Sequence, residues 1–246
     1  MESLYFDPVN WDGKKIAVIC IPYGGGWSTI YKGWEPYFAP EIALLSVKFP
    51  GRGQRMEEAP HTDMRELVEQ ITPDIAKLDL PIIFYGGCFG GLCSYEIIKE
   101  LEGKYGKTVL HFFSNSLVSP RYVVEDMGIS NWPDQKLTRE LLRRGELPEE
   151  IIKDEEVLEF LLPGIRADYR IYENYQYIDS GMIKTNLTMF YSKGSNIEEK
   201  KTRDWNKQVE GYIQYVPVDY DNLFATDAQT AIAVRINQEI VNTYLT

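Results

Sequence analysis

The chain has 246 residues, with 26 Lys and Arg against 37 Asp and Glu, and a formal net charge of −11. That length suits one large α/β domain or two small ones around a real hydrophobic core. The negative charge argues against nucleic acid or an anionic membrane surface as the main partner, and an ordinary apolar fraction with seventeen tyrosines argues against disorder.

Three cysteines, Cys20, Cys88 and Cys93, form no framework spacing, which points to reduced thiols and a cytoplasmic location. The N-terminal MESLYFDPVNW has neither a basic region nor an apolar core, so it does not read as a signal peptide. No apolar run approaches the length needed to span a bilayer. Cys and His do not cluster at metal-ligand spacing, so no structural metal is expected. A monomer is expected.

In chain order, Lys15 to Ile21 (KIAVICI) reads as a buried strand opening into the loop Pro22-Tyr23-Gly24-Gly25-Gly26. Ile42 to Phe49 reads as a second strand, stopped by Pro50-Gly51-Arg52-Gly53. Apolar residues at helical spacing run from Thr62 to Leu78, with Thr62 or Asp63 placed to cap them. Leu80 to Tyr85 is a third strand, Leu92 to Leu101 a helix, and Thr108 to Phe113 a fourth strand. Ser130 to Tyr177 is nearly all helical pattern, with Leu141, Leu142, Ile151 and Phe160 read as its core with a rim touching substrate. It lies between strands and therefore reads as an insertion, expected to cap the C-terminal end of the sheet. Strands at Thr185 to Tyr191 and Tyr212 to Val218 and a closing helix from Ala228 to Tyr244 complete the pattern. The alternation predicts an α/β fold with a mostly parallel sheet.

The third strand runs into Tyr85-Gly86-Gly87-Cys88-Phe89-Gly90-Gly91. A sharp strand-to-helix turn needs small residues where backbone passes backbone, and it carries a nucleophile at its apex. Cys88 stands at that apex, at the start of a helix whose dipole and unpaired N–H groups favour a thiolate. The Phe89 N–H is one expected oxyanion donor, and the loop after the first strand supplies Gly24 for the second. The plain alternative is a small buried hydrophobe at position 88.

The chain resembles the type II thioesterases that accompany nonribosomal peptide and polyketide synthases, from about Val18 to its end. The resemblance rests on CIPYGGG (20–26), FPGRGQR (49–55), TDM (62–64), the turn at Cys88, and LPGIRADYRIYENYQY (162–177). It implies one α/β-hydrolase domain over 1–246, with a helical lid at about 121–178. It also implies a substrate carried on the phosphopantetheine of an acyl or peptidyl carrier protein, with no bound cofactor. The family uses a Ser-His-Asp set, and this chain departs at each position. Cys88 replaces serine, Asn222 stands where the histidine is expected, and Ser192 to Asn196 offers no carboxylate. Neither His61 nor His111 is placed to substitute. Dieckmann cyclases related to this fold use a Cys-His-Asp set whose acid corresponds to Asn115 here.

A thiol can attack a thioester without the base that a hydroxyl needs. Water attacking the acyl-cysteine does need one, typically contributing about 10²–10⁴-fold. Three readings follow. Cys88 takes an acyl group and passes it to a nucleophile better than water, with Asn115 and Asn222 as hydrogen-bonding partners. Alternatively, Asp219 or Asp221 serves as a substitute base for hydrolysis. In the third reading the chain binds a carrier protein without chemistry. Arg52 and Arg55 are candidates for the phosphopantetheine phosphate or an acidic carrier protein, with a structural turn and ion pairs as the alternative. Tyr23, Trp27 and Phe89 are candidates for an acyl pocket, with aromatic core packing as the alternative. Arg166 and Asp168 are expected to brace the lid, and Arg52 to form a structural ion pair.

Overall fold

Six apolar residues in succession, Ile16–Ile21, are buried along their whole length and form the strand β1. The computed structural model describes residues 3–123, 128–144, 147, 149–193 and 204–245. Further strands are β2 (Ile42–Ser46), β3 (Ile82–Gly87), β4 (Val109–Asn115), β5 (Asn186–Ser192) and β6 (Ile213–Val218). They pair in parallel in the order β2-β1-β3-β4-β5-β6. Continuous rather than alternating hydrophobicity in β1 and β3 follows from burial on both faces.

The helices α1 (Met64–Ala76), α2 (Phe89–Lys104) and α6 (Thr226–Tyr244) flank this sheet. Two core clusters form around it. One holds Ile19, Phe84, Leu92, Ile97 and Ile98, and the other holds Val18, Ile83, Phe113, Ile232 and Ile236. Neighbouring residues of one strand thus point to opposite cores, as the strand pleat requires. Full burial of such side chains contributes about 1.5–3 kcal/mol each. Between β4 and β5 the described residues include the α-helices α3 (Asp134–Arg144), α4 (Glu149–Ile152) and α5 (Glu155–Glu173). Among the described residues no helix is long and apolar enough to cross a membrane.

The boundaries differ from the sequence reading where tertiary contacts intervene. β2 ends at Ser46 because Lys48 N–H turns to the carbonyl of Tyr5 (2.8 Å) and leaves the β1 ladder. α2 begins three residues before Leu92, since Gly90 and Gly91, which read as turn, are helical and buried. Asp63 rather than Thr62 caps α1, accepting from Glu66 N–H at 3.0 Å. Leu137, Leu141, Leu162 and Ile165 join Ile129 in a small core of the inserted helices. Leu142 and Phe160 do not belong to it. They are 41% and 58% exposed, because each falls on the helix face turned away from that cluster.

Candidate active site

The turn from β3 into α2 holds Cys88 at φ 49°, ψ −119°, a conformation that L-residues rarely adopt. Such strain costs about 1–3 kcal/mol and persists where surrounding structure imposes it. The glycines impose it here. A Cβ on Gly86 would run into the backbone of Gly90, and one on Gly87 would run into the Asn115 side chain. Cys88 N–H donates to the carbonyl of Asn115 (3.0 Å), tying the turn to the end of β4. The first α2 bond within this turn is Leu92 N–H to Cys88 O (3.0 Å). The N–H groups of Phe89, Gly90 and Gly91 therefore lack intrahelical acceptors, and the positive end of the helix dipole lies at Cys88.

Cys88 is half-buried, whereas Cys20 and Cys93 are completely buried and none is in a disulfide. Burial pushes the thiols of Cys20 and Cys93 well above their ordinary range. The two candidate oxyanion donors are neighbours, since a Cβ on Gly24 would lie 3.6 Å from Phe89 Cβ. The next two N–H groups of the Gly24 loop are committed elsewhere. Gly25 N–H donates to Asp168 Oδ2 (2.7 Å) and Gly26 N–H to the Tyr23 carbonyl (2.8 Å).

A buried pair holds this loop. Arg52 grips both carboxylate oxygens of Asp168 at 2.7 and 2.8 Å and also donates to the carbonyls of Gly26 and Gly164. Three separate sequence stretches, around Gly25, Arg52 and Asp168, thus meet in one bracket, and α5 adds Ile165 against Gly25. Arg166, by contrast, stays within the insertion, donating to Ser130 O (2.8 Å) and to Asp134.

Arg55 has a different task from the phosphate contact expected of it. Its guanidinium is bound by both oxygens of Glu58 (2.8 and 2.5 Å) and by Lys48 O (2.9 Å), and it lies over the Tyr5 ring at 4.5 Å. Those groups leave it buried and engaged as a brace. Trp27 packs against the turn at Gly53, with Cε3 at 3.8 Å from a Cβ placed there. Tyr23 meets Phe224, with ring centroids 4.7 Å apart.

The candidates on the β4 and β6 side separate clearly. Asn115 ends β4 opposite Gly87 of β3 and is completely buried. Asn222 is exposed, and its Oδ1 accepts from Phe224 N–H (2.9 Å), a local turn that accounts for an asparagine there. Asp219 is exposed and lies 3.2 Å from Lys193 Nζ, and Asp221 is exposed as well. Ser192 ends β5, and residues 194–196 lie outside the described residues.

The histidines are elsewhere. His111 pairs with Ile83, four residues before the Gly87–Asn115 pair and so about 13 Å down the strand. There its ring nitrogens lie 2.9 Å from Thr188 Oγ1 and 3.1 Å from Tyr244 Oη. His61 is buried 3.7 Å from Glu66. Phe224 is a site residue that the sequence reading missed. Its ring reaches the Gly87 position, from the loop after β6. Its only sequence signal was its place two residues after Asn222.

Residues 17–240 match the family described as Thioesterase domain. The chain is 27% identical over 217 residues to the gramicidin S biosynthesis protein GrsT of Aneurinibacillus migulanus, covering 87% of this chain and 85% of that protein. It is 28% identical over 260 aligned positions to the linear gramicidin dehydrogenase LgrE of Brevibacillus parabrevis, covering 100% and 97%. Among solved structures, the type II thioesterase BorB from the borrelidin biosynthetic cluster superposes with a TM-score of 0.86. It is 22% identical, covering 98% of this chain and 99% of that one, and the likeness establishes an α/β-hydrolase fold.

Proposed function

The chain belongs to the Thioesterase domain family, and from that premise we propose that it acts on acyl thioesters carried by the phosphopantetheine arm of a carrier protein, through Cys88. Of the two relatives, one name gives only a biosynthetic role and the other says dehydrogenase, so the reaction is argued from this chain's own residues. The observation that carries the reading is Cys88 itself: the one half-buried thiol, held at positive φ at the N-terminus of α2 beside Phe89 and Gly24. The thiolate attacks the thioester carbonyl. Charge developing on the oxygen is met by the N–H groups of Phe89 and Gly24. The carrier's thiol then leaves, and Cys88 holds the acyl group.

Discharge follows a different course from that of a Ser-His-Asp enzyme. His111 lies down the strand from the turn, His61 is buried beside Glu66, and Asp219 is exposed beside Lys193. Among the described residues no histidine is shown beside the thiol to activate water, so acyl-Cys88 passes its acyl group to a better nucleophile, or to one within the acyl chain itself. The inserted helices α3–α5 act as the lid over this exchange, and the carrier protein delivers its arm beneath them.

Incubation with an acyl-loaded carrier protein or an acyl thioester mimic should add one acyl mass to the protein. Cys88→Ala should abolish the addition and Cys93→Ala should leave it intact. The acyl adduct should outlast that of a Ser-His-Asp thioesterase in plain buffer. Equal addition to both variants would sink the assignment. Rapid hydrolysis that Asp219→Asn or Asp221→Asn stops would favour the substitute-base reading instead.

A further inference from the structure

Backbone strain and unpaired buried polarity coincide at one place. Among the described residues, two besides glycines have positive φ, Cys88 at 49° and Ser116 at 50°. Each comes one residue after the paired positions Gly87 and Asn115, so the two strained residues follow adjacent strand ends. Beside them the Asn115 side chain is completely buried, and neither its Oδ1 nor its Nδ2 has a hydrogen-bond partner among the described residues. A buried amide left so is costly, and native structures rarely keep one without a use. A Cβ on Gly87 would strike both Asn115 Oδ1 and the Phe224 ring, whose Cε1 would lie 2.9 Å from it. Amide and ring therefore share the space over Gly87, immediately before Cys88.

The order of the sheet gives that space a direction. β3 ends just before Cys88, with β1 on one side of it and β4 on the other. Gly24 comes from the loop after β1, and Asn115 from the end of β4. An acyl-Cys88 whose carbonyl oxygen turns to Gly24 and Phe89 has its other side facing Asn115, with the Phe224 ring reaching from Tyr23 to the space over Gly87.

We propose that Asn115 is a positioning residue for the acyl acceptor, a primary amine, and that the Phe224 ring shields that side of the thioester from water. This inference rests on the acyl-Cys88 reading above. Asn115 Oδ1 accepts one N–H of the amine and so aims the nitrogen lone pair at the carbonyl carbon. A C–N bond forms, the C–S bond breaks, and sulfur leaves as the Cys88 thiolate. The proton shed by the nitrogen returns that thiolate to the thiol. An uncharged amine needs no base to attack, which suits a site whose histidines lie elsewhere.

The test loads the full chain with the N-acetylcysteamine thioester of octanoic acid and adds n-butylamine. The readouts are loading by intact mass and the ratio of N-butyl amide to free acid. Asn115→Ala should lower that ratio about tenfold, the worth of one well-placed hydrogen bond, with loading within about twofold of wild type. Phe224→Ala should raise acid formation by a similar factor. Asn115→Asp keeps the shape and guards against a folding failure of the alanine variant. Its carboxylate should speed acid formation with a step at the carboxylate's titration, superimposed on the hydroxide-driven rise of the wild type. A loaded wild type whose ratio survives all three substitutions overturns the Asn115 assignment alone. A wild type that never loads overturns the Cys88 reading and this inference with it.

Discussion

The three cysteines share one side chain and differ in surroundings. Cys20 lies within β1 and Cys93 within α2, both completely buried, and burial disfavours their thiolates. Cys88 is half-buried at a helix N-terminus. Brief treatment of the native protein with iodoacetamide at neutral pH should therefore label one site, lost in Cys88→Ala, and peptide mass mapping checks it. Labelling of Cys20 or Cys93 at a similar rate would contradict the packing. Asp168 is a second residue whose surroundings decide its worth. It neutralises the buried Arg52 and accepts from Gly25 N–H. Asp168→Asn leaves a buried guanidinium without its charge partner, and such losses cost about 3–5 kcal/mol. The expected outcome is a melting temperature lower by many degrees, with slower loading of Cys88 as the Gly24 loop loosens.

Among the elements, the β3–α2 turn was the most legible. A strand, a glycine-rich apex and a helix stand in immediate succession, and glycine is the residue that lets backbone approach backbone. Gly86→Ala tests that reason. Its methyl would meet the backbone of Gly90 and push α2 away from β3. Loss of about 1–3 kcal/mol is expected in a denaturant titration, with loading of Cys88 severely reduced and far-UV circular dichroism nearly unchanged. The inserted helices were legible as helices and less so as a packed unit. Helical spacing identifies a face, but an apolar residue at its margin reads the same whether it turns inward, as Leu141 does, or outward, as Leu142 and Phe160 do.

For the molecule as a whole, acid stability depends on a histidine remote from the active turn. His111 is buried beneath the Phe113 ring, and burial lowers its pKa to about 3. Facing it are the hydroxyls of Thr188 and Tyr244, with Glu239 at 3.6 Å from Nε2. The unfolded chain takes up the proton near pH 6.5 while the folded chain resists it. Stability is therefore full above pH 6.5 and falls as the pH drops from there toward 3. A loss on the order of 2 kcal/mol between pH 6 and pH 4 is expected, with Glu239 offsetting part of it. His111→Gln should flatten that stretch of the stability curve; an equally steep curve in the variant would assign the loss to other groups. The fold class, the place of Cys88 and the absence of histidine at its expected position are properties of the sequence alone. The first two rest on periodicity and glycine spacing and the third on the family resemblance, all carried by stretches local along the chain. The Arg52–Asp168 bracket around Gly25, the engagement of Arg55 by Glu58, and the meeting of Asn115 with Phe224 over Gly87 were decided by tertiary structure. Each joins residues far apart in the chain or depends on which way a side chain turns, and no periodicity encodes either.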